Sequence, residues 1–321
     1  MKADLTRDSF DPNARRRTVR FQQGRVPLDA DLNESQDLLV SRVETEAADV
    51  IGPAGGPVGN AGFGLSVDAS GNLVLGAGRY YVDGILCELM EDTVLPAGAL
   101  HSPEGVPTTD GVYLAALDVW IEHLTALEDS SMREVALHGA DTATRQVIRH
   151  QVRFLPVSED PAALPECGEA FPQWDALTSP PTGALEARAE PEATPANDCS
   201  MTPGAGYRRL ENQLYRVEIH DAGNAGSATF KWSRENGTVL VQWLGKSGND
   251  LAISNPGRDA NRSFRSGDWV ELIDRERELR GLPGTLVQLT HASGTTLTIN
   301  PATASGTVDF ADFGGVPRIR R

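Results

Sequence analysis

Apolar residues recur at helical spacing in one stretch of the chain and alternate in most of the others. Over residues 28–51, Leu32, Leu39, Val43, Ala47 and Val50 return every three, four or seven positions, so they share one side of a helix. Glu34, Asp37, Glu44 and Asp49 lie off that stripe. Asp29 and Asp31 stand where carboxylates cap free amides and meet the positive end of the helix dipole, and Gly52-Pro53 supplies a stop. The pattern predicts one amphipathic helix. Its stripe should pack on a domain or pair with a neighbouring copy, and a domain contact is the more ordinary outcome.

Beyond a glycine-rich linker at 52–64, the period changes to two. Residues 73–75, 79–90, 111–124 and 145–156 read as strands. Val112, Leu114, Ala116, Asp118 and Trp120 face one way, and Tyr113, Ala115, Leu117, Val119 and Ile121 the other. Apolar residues on both sides predict a strand covered on two faces, as in a sandwich. Residues 157–206 carry eight prolines among alanines and acids, which predicts an extended linker with little core of its own.

The alternation resumes at 214–220, 228–233 and 238–243. The last two flank Asn236-Gly237, a pair that readily takes the positive φ angles of a tight hairpin turn. Further strands are predicted at 266–273, 284–291 and 295–299, making a small barrel or sandwich. Residues 316–321 end in strand-like sequence without a turn, so they should tuck against something or run on into more chain.

The fold expected is mainly β: two β-sandwich or barrel-like units preceded by a basic arm and one amphipathic α-helix. Residues 1–51 form the arm and helix, 52–156 the first β unit, 157–206 the linker and 207–321 the second β unit.

Composition fits this reading. With 321 residues, 40% of them apolar, the chain can fill one large or two modest cores. Its 32 glycines and 20 prolines show no period, which excludes collagen and favours turns. A net charge of −16 argues against sequence-independent nucleic-acid binding. The sign is uneven, however. Residues 1–25 hold seven bases against three acids, a net +4, which leaves −20 on the remainder. A basic arm on an acidic body predicts docking onto an acidic partner or another copy of the chain, with a solvated, frayed N-terminus as the alternative. No apolar run approaches the length of a membrane span, so membrane insertion is not expected, and Met1-Lys2-Ala3-Asp4 leads into polar sequence unlike a secretory signal.

Catalytic motifs are missing. Gly245-Lys246-Ser247 has Leu240 where a phosphate loop needs its leading glycine. There is no HExxH or GxSxG, and no two of the six histidines fall within four residues of each other. No catalytic, cofactor-binding or metal-ligating residue is therefore assigned, and no cofactor is expected. Glu211, Glu218, Glu235 and Asp118 could form an acid/base pair on paper, against a plain acidic surface. Cys87 reads as a buried small apolar residue, while Cys167 and Cys199 either pair or stay reduced. The polar clusters Arg209-Glu211-Asn212-Arg216 and Lys231-Arg234-Glu235-Asn236 offer a contact surface or a network bracing the strand ends. Trp120, Trp232, Trp243 and Trp269 read as core, and Tyr80, Tyr81 and Trp174 as exposed aromatics that could hold a glycan.

Four stretches carry a resemblance: residues 2–12, residues 22–34, residues 113–145 with Leu117-Asp118-Val119-Trp120, and residues 209–220 continuing through Phe230-Lys231-Trp232-Ser233-Arg234-Glu235-Asn236-Gly237. Together they resemble a family known only as a domain of unknown function, encoded with extracellular contractile injection systems and phage-tail-like particles. Leu32 departs from it at a position where tryptophan is frequent. The resemblance implies a structural protein of such a particle, at a baseplate, fibre-attachment or other accessory position. It would be made in the bacterial cytoplasm without a signal peptide and released with the assembled particle. Other particle proteins and sister copies are the partners implied, with no nucleic acid. On this reading Arg7, Phe10, Arg15, Arg16, Arg17, Arg20, Phe21 and Arg25 of the arm, with Leu32, Leu39 and Val43 of the helix, are the partner-binding residues. A receptor- or carbohydrate-binding fibre module is the alternative, and a secreted hydrolase a third.

Overall fold

The computed structural model describes residues 3–95, 105–166, 168–186, 214–257, 259 and 262–321. The protein is mainly β, and it divides into two compact units. Phe10–Leu124 and Arg145–Pro181 make the helix unit; Met1–Ser9, Thr125–Thr144 and Thr182–Arg321 make the barrel unit.

In the helix unit, α1 (Asp29–Ile51) leads into β1 (Ala54–Gly55), β2 (Leu65–Val67), β3 (Leu73–Leu75), β4 (Gly78–Val82), β5 (Ile85–Leu89) and β6 (Thr93–Val94). Next come β7 (Val112–Leu124), the short β8 (Arg133–Glu134) and β9 (Ala140–Asp141) of the barrel unit, and then β10 (Arg145–Ser158). Strands β1-β4-β5 and β2-β3-β6 form two small antiparallel sheets, and β7 pairs with β10 along its whole length. The core is small: Leu75, Leu95 and Val152, flanked by Phe63, Leu117 and Phe154.

Two expectations change here. Residues 79–90 are not one strand but the β4–β5 hairpin, because Asp83 (φ 46°) and Gly84 (φ 82°) take the left-handed turn that an Asp-Gly pair favours. And β7, apolar on both sides, is half-buried rather than sandwiched; Ile121 and its partner Ile148 stay 46% and 40% exposed. The proline-rich stretch also has structure of its own. A short helix, α2 (Pro172–Thr178), starts on Pro172, whose missing N–H costs a first turn nothing. Cys167, Cys199, Arg209, Glu211 and Asn212 lie outside the described residues.

The barrel unit continues with β11 (Arg216–Ile219), β12 (Phe230–Ser233), β13 (Leu240–Ser247), β14 (Asp250–Ile253), β15 (Trp269–Ile273), α3 (Arg275–Leu279), β16 (Thr285–Ser293), β17 (Thr296–Asn300) and β18 (Arg318–Arg320). Six strands close in the order β13-β14-β17-β16-β15-β18. Ile319 of β18 pairs with Val241 on one side and Leu272 on the other, so the strand-like 316–321 sequence seals the barrel. Period-two alternation fills it with Val241, Leu251, Val270, Val287, Leu297 and Ile319. Trp243 lies among them, edge-on to Phe310 and Phe313 at 5.0 and 5.2 Å, with its indole N–H donated to the Gly245 carbonyl.

Asn236-Gly237 turns as predicted but makes no hairpin. Both residues have positive φ, yet β12 pairs with β11, while β13 pairs with β14 and β18. The turn moves the chain from a two-stranded ribbon into the barrel. It is fixed by Asn236, which is buried and donates its amide to the Ala3 carbonyl, and by Ser233, whose hydroxyl donates to the Arg321 carbonyl.

Candidate assembly surface

Helix α1 lies with its apolar stripe outward. Leu32, Leu39, Val43 and Val50 are 53%, 58%, 65% and 80% exposed, whereas Ala30 and Glu34, on the opposite side, are buried. The expected packing of the stripe on its own domain is therefore overturned. Size explains the choice. The inward side carries Ala30, Ser41 and Ala48, small enough for the helix backbone to approach the β4–β5 turn. At that turn a Cβ on Gly84 would strike the Glu44 backbone carbonyl. Bulky Leu39 or Val43 on that side would hold the helix away. The N-cap is Leu28, which offers no side-chain cap, so Asp29 and Asp31 serve the first turn and its dipole rather than the cap position.

The arm is split between the two units. Ala3 is buried in the barrel unit, Asp4 pairs with Arg262, and Arg7 is exposed there. Residues 10–28 belong to the helix unit. Phe10 is half-buried and Phe21 is 55% exposed. Arg16 donates to Glu34 at 2.9 Å. Among the described residues, Arg15, Arg17, Arg20 and Arg25 are exposed and meet no carboxylate. The structure thus gathers Arg16, Phe21, Arg25, Leu32, Leu39 and Val43 in one unit and leaves Arg7 in the other.

A second outward face was not anticipated. In the β11–β12 ribbon, Val217 lies opposite Trp232 and Ile219 opposite Phe230, and all four are 41–61% exposed. Tyr215 extends the row, its ring 6.0 Å from that of Trp232. Trp269 is exposed as well, so Trp232 and Trp269 are not core residues, while Trp243 is and Trp120 is half-buried. The alternation of polar with apolar residues in both strands was visible in the sequence. Which side faces in is decided by Glu271 of β15, a buried carboxylate that points out of the barrel and draws Lys231 onto it. Arg320 joins Glu271 at 3.3 Å and Glu278 at 2.9 Å, and Arg318 joins Glu128 and Glu278 at 2.8 and 3.0 Å. A shallow groove of about 360 Å³ runs beside the ribbon, lined by Leu5, Asp8, Tyr215, Val217 and Glu218.

Of the four carboxylates considered for an acid/base pair, the three among the described residues are engaged in pairs or hydrogen bonds. Asp118 accepts from Gln151 at 2.6 Å, Glu218 pairs with Arg216, and Glu235 pairs with Arg321 at 3.1 Å. Lys231, Glu235 and Asn236 brace the ribbon and turn. Among the described residues no group of three or more His, Cys, Asp or Glu side chains could hold a metal ion. None of their helices is long and apolar enough to cross a membrane. Tyr80 and Tyr81 are half-buried, and Trp174 is 38% exposed. Cys87 is fully buried, and burial pushes its thiol up from an ordinary 9.0 to about 11.

The chain belongs to a family of unknown function, DUF6519, whose model matches residues 1–184 and 174–292. No match was found among curated proteins or among solved structures.

Proposed function

We propose that this member of DUF6519 is a structural protein that acts by protein–protein assembly, as an accessory, baseplate or fibre-attachment component of a phage-tail-like contractile particle. The observation that carries the assembly part is α1. Its Leu32, Leu39, Val43 and Val50 face solvent while its small and polar side packs inward. A contiguous apolar stripe on a 23-residue helix is what a partner covers. The particle itself is proposed from the resemblance of the sequence stretches described above. So are synthesis without a signal peptide, release with the particle and binding to other particle proteins.

The test is sedimentation of particles from producing cells, comparing the native chain with a Leu39→Glu/Val43→Glu variant. The native chain should pellet with sheath and tube proteins and the variant should stay in the supernatant. A native chain that stays soluble defeats the reading.

A second reading, a receptor- or carbohydrate-binding module, is favoured by the ribbon's exposed Tyr215, Phe230 and Trp232 beside a groove with Asp8 and Glu218. Aromatic faces with adjacent polar groups suit such ligands. It requires glycan binding that Trp232→Ala removes; a blank glycan array on the intact chain counts against it.

A further inference from the structure

We infer that the occupant of the α1 stripe is a second copy of this chain, which seats the loop of residues 17–28 on it. The inference rests on the assembly reading and names the partner of that surface.

Charge selects this occupant. Residues 17–28 hold three arginines and no acid, while α1 holds seven acids and Arg42, giving +3 beside −6. Two α1 helices laid together would set −6 against −6, which disfavours a simple helix–helix pair. Loop on helix sets opposite signs together and covers apolar surface on both sides. The loop's Phe21 and Val26 are 55% and 81% exposed, and the stripe's four residues at least 53%.

The chain does not satisfy these surfaces by itself. Arg16 is held by Glu34, on the inward side of α1 and away from the stripe, and the exposures above persist with the loop in place. Arg17, Arg20 and Arg25 meet no carboxylate among the described residues. Asp31, Glu44, Glu46 and Asp49 likewise meet no cation there.

Dimensions agree. From Leu32 to Val50 the stripe runs about 27 Å at ~1.5 Å per residue. The loop is tied at one end by Arg16 and at the other by the start of α1, and limbs of about six residues reach about 20 Å. Because each copy carries both elements, the contact either closes reciprocally or passes from copy to copy around a ring.

The test is light scattering and sedimentation of the full chain over a concentration series, at low salt and at about 1 M salt. Self-association should appear at low salt and weaken at high salt. Arg17→Glu/Arg20→Glu/Arg25→Glu and Leu39→Glu/Val43→Glu should each weaken it by about tenfold or more. Both variants change exposed residues, and unchanged circular dichroism checks that they fold. Mixing them is decisive. The first keeps an intact stripe and the second an intact loop, so the mixture should regain one productive contact and form a one-to-one complex.

A chain that stays monomeric at every concentration overturns the inference. So does association that ignores loop reversal, or variants that fail to complement. A monomeric chain that still pellets with particles defeats only this inference. A chain that self-associates yet never enters particles defeats only the particle reading.

Discussion

Lys231 of β12 forms an ion pair with Glu271 of β15, forty residues further along the chain, and this contact fixes which face of the β11–β12 ribbon looks outward. Glu271 is 4% exposed and points out of the barrel, where it also accepts from Arg320 and from the Gly284 backbone. A carboxylate that deep must be paired, because an isolated buried charge is far costlier than an apolar side chain left in water. The ribbon therefore turns Lys231 inward. Period two then sends Phe230 and Trp232 to the other side.

Removing the carboxylate should weaken the pairing of two cations. Glu271→Ala leaves Lys231 with Glu218 at 3.7 Å and Arg320 with Glu278, and the loss of their shared partner should make unfolding of the barrel easier by about 1–3 kcal/mol. The paired change Lys231→Met/Glu271→Leu should cost less than Glu271→Ala, since the Lys231 charge goes with its partner while Arg320 keeps Glu278 in both. Urea unfolding of the three proteins measures both. Equal losses would mean that packing, not charge, orients the ribbon.

Element type was legible where the local period is long, and was missed for the short α2 and α3, which span too few turns to show one. The 28–51 stripe marks α1, and the alternation from 266 to 299 marks β15, β16 and β17. Facing was not legible. For α1 it depends on Gly84, distant in sequence, which lets a small-sided helix approach closely; for the ribbon it depends on Glu271. Both choices reverse the rule that the more apolar side goes inward. The turn at Asn236-Gly237 shows the same limit, since its φ angles are local but its strand partners are not. The arm's residues were identified, but its first part docks through Asn236 and Arg262, contacts that no local pattern announces.

Gly84 should tolerate no side chain. Its φ of 82° is strained for any residue with a Cβ, and that atom would meet the Glu44 carbonyl, which cannot move without bending α1. Gly84→Ala is expected to cost at least about 2 kcal/mol in the helix unit. Gly71, at a similar φ of 84° with open space around it, is the control. Gly71→Ala should cost less by the amount of the clash. Thermal melts of both variants compare them directly.

The Cys87 thiol should stay protonated and unreactive in the folded protein. Its folded value of about 11 lies above its ordinary 9.0, so the folded state holds the proton more tightly. That contribution to stability is complete below pH 9 and is lost as pH rises toward 11. At pH 8 Cys87 should resist alkylation in the native protein and react in the denatured one, as read on its own peptide apart from Cys167 and Cys199. Cys87→Ala should show a shallower loss of stability over the alkaline window. Rapid labelling of the native thiol would show that the site opens.

The ribbon face should be dispensable for folding, which separates a contact surface from a core. Phe230→Ser and Trp232→Ser each remove an aromatic that is 61% exposed, and each should change stability by only about 0.5 kcal/mol. Trp243→Ala, at 1% exposure, should cost about 3–5 kcal/mol. Acrylamide should quench a large share of the fluorescence in the native protein through Trp232 and Trp269, and a smaller share in Trp232→Ser. If Trp232→Ser destabilised the barrel as strongly as Trp243→Ala, the aromatic row would be packing against the protein rather than awaiting a ligand. If stability holds and glycan or partner binding falls, the row is a surface kept for recognition, with the Lys231–Glu271 pair holding it outward.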